Sequence, residues 1–157
     1  MTMPNNNSRI LLKRLKKTLS ELGEAQARLN KIVKIIADSM NSEVCSIYLI
    51  NRHNILELYA TEGLRSKAVH YSQLNVGQGL VGKIAATAEP IKTSQASKTK
   101  GFRYLPETGE EIYNSFLGVP IQRLGKILGV LVIQNLKKRE FTEDDVYGLE
   151  IVAMVIA

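Results

Sequence analysis

The chain has 157 residues, 45% of them hydrophobic, with no tryptophan and one cysteine. That is enough for one domain with a core of its own plus an appended element, and it rules out a disulfide framework. Twenty-one Lys and Arg against 15 Asp and Glu give a net charge of +6. The surplus lies in residues 1–34, where Arg9, Lys13, Arg14, Lys16, Lys17, Arg28, Lys31 and Lys34 face only Glu21 and Glu24. The longest wholly apolar run, Ile151–Ala157, is far short of the roughly 20 residues that cross a bilayer. The opening Met-Thr-Met-Pro-Asn-Asn-Asn-Ser lacks the apolar centre of a secretion signal. A soluble protein of the reducing cytoplasm is therefore expected, with no membrane partner.

From Ser8, a plausible cap, a helix is expected to run on from Arg9. Leu12, Leu15, Leu19, Leu22, Leu29, Val33, Ile36 and Met40 recur at spacings of three and four, and only Gln26 is polar in the series. That period describes the seam of a coiled coil, so one long N-terminal helix and a homodimer contact are expected. The other reading is a helix broken at Gly23 that packs on its own domain, since a helix interior tolerates Gly at about 1 kcal/mol. No aromatic residue interleaves the basic charges, so nucleic acid is not an expected partner.

Val44–Ile50 and Ile55–Ala60, separated by Asn51-Arg52-His53-Asn54, have the length and composition of a strand pair. Cys45 lies inside the first run and is expected to be buried and inert. His53 and His70 have no Cys or acidic companion at ligand spacing, so no metal site and no catalytic histidine are expected. Gly77-Gln78-Gly79-Leu80-Val81-Gly82-Lys83 touches two phosphate-loop patterns and completes neither. Ile84 stands where a Mg²⁺-holding Ser or Thr is needed, and Lys98 and Lys100 occupy the zone of the ribose-binding acid. The glycines are better read as a tight turn from strand to helix, with Leu80, Val81, Ile84 and Ala85 on the buried face. Such a start offers free N–H groups to a carboxylate or phosphate.

Residues 93–114 form the longest irregular stretch, and long polar loops in small domains often carry function. Phe116–Ile121 and Ile127–Ile133, joined by Gln122-Arg123-Leu124-Gly125-Lys126, read as a buried hairpin. Thr142 should cap a last helix, with Asp145 at its third position and Val146, Leu149, Val152 or Ala153, and Ile156 along one face. The apolar close of that helix suggests a piece of a longer polypeptide.

Four stretches carry a resemblance: Val44–Leu49, Asn75–Gly82, Ser115–Ile121 and Gly129–Asn135. Their order and wording resemble a GAF domain, more closely the N-terminal GAF domain found in nitrogen-related phosphotransferase system enzymes I. The resemblance implies an α+β fold, a GAF-like central antiparallel β-sheet with helices on its faces, preceded by the long N-terminal helix. It implies residues 1–24 as a dimerising or linking helix and 25–157 as the sensory domain. It also implies a non-catalytic regulatory role without a cofactor, with glutamine as ligand, opposed by 2-oxoglutarate, and with downstream phosphotransferase domains in the parent chain. A dimer would form through the N- and C-terminal helices. The alternative is a structural dimerisation and docking module without a ligand.

A glutamine ligand needs a cation or helix start for its α-carboxylate, a carboxylate for its ammonium, and an amide or hydroxyl for its side chain. The candidates are Gly79, Leu80 or Arg103 for the first and Glu110 or Glu111 for the second. Tyr48, Tyr104, Ser115 and Gln134 are the candidates for the third.

Overall fold

The chain forms six strands, the long ones set by apolar runs: β1 (Val44–Ile50), β2 (Ile55–Glu62), β3 (Gln73–Asn75), β4 (Ile91–Thr93), β5 (Ser115–Arg123) and β6 (Lys126–Asn135). A computed structural model describes residues 6–20, 25–99 and 112–157. In it the strands form one antiparallel sheet in the order β3-β2-β1-β6-β5-β4. The helices are α1 (Asn6–Ser20), α2 (Ala25–Ser39), α3 (Gly79–Thr87) and α4 (Glu143–Ile156). No described helix is long and apolar enough to cross a membrane.

Side chains alternate across each strand, and the two faces carry separate cores. Cys45, Ile47, Leu117, Val119, Ile121, Leu131 and Ile133 pack against α1, α2 and α4. Tyr48, Leu56, Leu58, Phe116, Val130 and Val132 pack against α3 and the short segments around Ala68, Leu74 and Ala96. The β5–β6 hairpin closes through Leu124-Gly125, both at positive φ (53° and 78°), as a two-residue turn with the twist of its strands requires. Its register shifts between Ile121 and Gln122, and this bulge leaves both Val130 and Ile127 on the α3 face.

The single N-terminal helix expected from the leucine period is replaced by two helices packed together. Leu11 and Leu15 are 1% and 0% exposed and join the cluster that holds Ile32, Val33, Ile36, Leu149 and Val152. A stripe at this spacing needs only an apolar neighbour, and α2 with α4 supplies one inside the same chain. Gly23 and the rest of 21–24 lie outside the described residues.

Two devices fix the helix ends beside the sheet. Thr142 Oγ1 accepts from the Asp145 N–H at 3.1 Å, and Asp145 Oδ2 accepts from the Thr142 N–H at 2.9 Å. This reciprocal cap satisfies two donors that a helix start otherwise leaves open. Arg139 donates to the carbonyls of Met40 and Asn41 at 3.0 and 3.2 Å, stacks over Phe141 at 4.7 Å and faces Asp145 at 3.7 Å. It thereby ties the end of α2 to the start of α4. Arg139→Ala is expected to cost about 2 kcal/mol by urea denaturation, and Arg139→Lys to recover only part, since an ammonium that holds the two carbonyls has no second nitrogen to face Asp145.

Candidate ligand-binding site

The strand-to-helix turn is held by its own backbone. The Gly77 N–H donates to Gly82 O at 2.8 Å, and the Gln78 N–H to Asn75 O at 3.0 Å. Gln78 Oε1 accepts from the Asn75 N–H at 3.2 Å. Beyond it α3 sets Leu80, Val81, Ile84 and Ala85 onto the sheet. The first N–H groups of a helix have no partner one turn back, and no described residue accepts from Gly79 or Leu80.

Tyr48 and Gln134 share the sheet face beneath α3, each 2% exposed. Gln134 lies opposite Val44 on β1 and Phe116 on β5. Ser46, fully buried, shares this face with Tyr48, and its hydroxyl is 2.9 Å from that of Thr61. Asn135 Nδ2, not the Gln134 amide, is the one described side-chain nitrogen or oxygen that is both buried and without a hydrogen-bond partner.

Ser115 is placed elsewhere: it sits two residues before Leu117, on the helical face, and its hydroxyl donates to Asn135 O at 3.3 Å. Strand period decides this, and the hydroxyl is already engaged. Arg103, Tyr104, Glu110 and Glu111 lie outside the described residues. On either side of them Thr99 donates to Thr93 Oγ1 at 2.8 Å, and the Tyr113 hydroxyl donates to Gly63 O at 3.3 Å. Burial, and then the charge of Glu43, raise the Tyr113 pKa above the ordinary phenol value. Ser46 and Thr61 went unnoticed in the sequence. The available signal was a hydroxyl inside each of two apolar runs that pair.

His70 does have an acidic companion, which separation along the chain had hidden. Its Nδ1 is 2.8 Å from Glu57 Oε2 and its Nε2 is 2.7 Å from Gln26 Oε1, with the ring edge-on to Tyr59. Gln26 Nε2 in turn donates to Tyr59 O at 2.7 Å. The histidine thus fastens the start of α2 to β2. Cys45 faces the helices, and burial, with a smaller contribution from Glu62, pushes its thiol far above the usual range. A thiol held protonated is a poor nucleophile.

The GAF domain profile matches residues 24–157. The chain belongs to the GAF domain family. It is 34% identical over 140 residues to the phosphoenolpyruvate-dependent phosphotransferase system protein of Escherichia coli (strain K12), covering 86% of this chain and 19% of that protein. It is 28% identical over 125 residues to the Nif-specific regulatory protein of Azospirillum lipoferum, covering 76% of this chain and 20% of that one. The GAF domain thus spans about a fifth of the length of these curated relatives. Among solved structures it is similar to the GAF domain from a phosphoenolpyruvate-protein phosphotransferase of Coxiella burnetii. The TM-score is 0.88 at 30% identity, over 97% of this chain and 92% of that one. The sheet with helices on both faces is accordingly the GAF fold, and the relatives are phosphotransferase and nitrogen-regulatory proteins.

Proposed function

We propose that this GAF domain is a metabolite sensor which binds glutamine, in opposition to 2-oxoglutarate, and controls the phosphoenolpyruvate-dependent autophosphorylation of an attached phosphotransferase in the cytoplasm. One observation carries the reading: Gln134 and the Ser46–Thr61 pair are polar side chains set into the sheet face that α3 covers. The likeness to phosphotransferase and nitrogen-regulatory proteins supports it. The ligand's side-chain amide pairs with Gln134, aided by Tyr48 or Tyr104. Its carboxylate meets the Gly79 and Leu80 N–H groups or Arg103, and its ammonium meets Glu110 or Glu111.

Capture by residues 93–114 then changes the setting of the helices on the opposite face, with a coupling of about 1–3 kcal/mol, typical of linked sites. Calorimetric titration with glutamine, 2-oxoglutarate and a cyclic nucleotide checks this. Glutamine is expected to bind with one-to-one stoichiometry, and Gln134→Leu to weaken it at least about tenfold while the fold is kept. No heat from any of the three at millimolar concentration removes the sensor reading.

The homodimer belongs to the same proposal, with its contact on the outward surfaces of α1 and α4, where Ile10 and Met154 are 56% and 73% exposed. Sedimentation equilibrium checks it: a two-chain mass is expected, reduced to one by Met154→Glu. A single-chain mass for the unmodified protein removes it.

A further inference from the structure

On the sheet face away from α3, a groove of about 520 Å³ opens between the first turns of α2 and the last turn of α4. Its floor is Ile32, Ile47 and Ile121, none more than 2% exposed. Leu29, Leu128 and Ile156 are partly buried along its sides. Of the described residues lining it, ten are aliphatic and one, Arg28, is charged. The groove is half-open to solvent and not a sealed interior void. It falls within the range of small-molecule sites, about 300–1,000 Å³.

The lining offers no aromatic face, hydroxyl or amide, so it selects hydrocarbon over a ring or a sugar. The half-buried Arg28 guanidinium has no ion pair with a described carboxylate. A guanidinium presents a fork that matches a carboxylate. We propose that this groove binds one aliphatic chain ending in a carboxylate, a medium- to long-chain fatty acid, with its tail over the isoleucine floor and its head on Arg28. The site lies across the sheet from Gln134 and stands independently of the glutamine reading.

The test is titration of the 157-residue chain with octanoate, decanoate, dodecanoate and dodecanol below their micelle concentrations, followed by calorimetry and by methyl resonances. One molecule per chain is expected, with shifts at Ile47 and Leu128. Binding should tighten roughly three- to fourfold for each added methylene until the groove is full. Arg28→Gln should weaken dodecanoate about tenfold and leave dodecanol unchanged. No saturable binding overturns the assignment, as does equal loss of acid and alcohol in Arg28→Gln. Groove methyls shielded by self-association that dodecanoate does not compete with would show a second copy as the occupant, and would also overturn it. Glutamine titration of the same Arg28→Gln protein separates the two sites, because its heat should not change.

Discussion

Replacing Gly129 by alanine is expected to cost at least about 3 kcal/mol, a severe loss against the about 5–15 kcal/mol that holds a domain together. Gly129 lies where β6 passes between Leu49 of β1 and Ile121 of β5, next to the β5–β6 bulge. A Cβ built there would stand 2.0 Å from Tyr48 O and 3.0 Å from Leu49 Cα. Both are backbone atoms of the central strand, so relief requires β1 and β6 to part. Tyr48 would then leave the face it shares with Gln134. Gly125→Ala is the control: it has open space around it but sits at positive φ, 78°, and should cost only about 1 kcal/mol. Chemical denaturation of the two proteins measures the difference. Equal and small effects would mean that the strands are not so close.

Leu15→Ala is the second large effect, expected at about 2–5 kcal/mol by the same measurement. Leu15 is 0% exposed inside the cluster of α2 and α4, so truncation leaves a cavity in the chain's own core. The loss should be the same at low and high protein concentration. Had this leucine served mainly as a dimer seam, the cost would shrink on dilution, because stability drawn from association depends on concentration. A loss below about 1 kcal/mol would show that α1 does not pack as described.

The four long strands and α4 were legible in the sequence because their cues are local. Val44–Ile50 and Phe116–Ile121 are apolar runs bounded by polar turns, and Thr142 carries its capping acid three positions on. The packing of α1 on α2 was one of two readings left open, because leucines every three or four residues look alike whether the neighbour is another chain or the next helix. The three-residue edge strand Ile91–Thr93 is too short to show a period. Long-range geometry hid the rest. Ser115 lies next to Phe116, yet the side-chain alternation turns it to the helices. Glu57 meets His70 only after β2 and the following segment are in place. Tyr48 and Gln134 were candidates by side-chain type and Leu80 by the helix start, whereas the Ser46–Thr61 pair needed the register of β1 against β2.

Crystals of the chain grown with glutamine test the central claim most directly, through difference density on the α3 face of the sheet. The account predicts one glutamine, its side-chain amide against Gln134 and its carboxylate toward the Leu80 N–H. Hydrocarbon packed around Gln134 with no added density, at glutamine concentrations that saturate any solution binding, would contradict it.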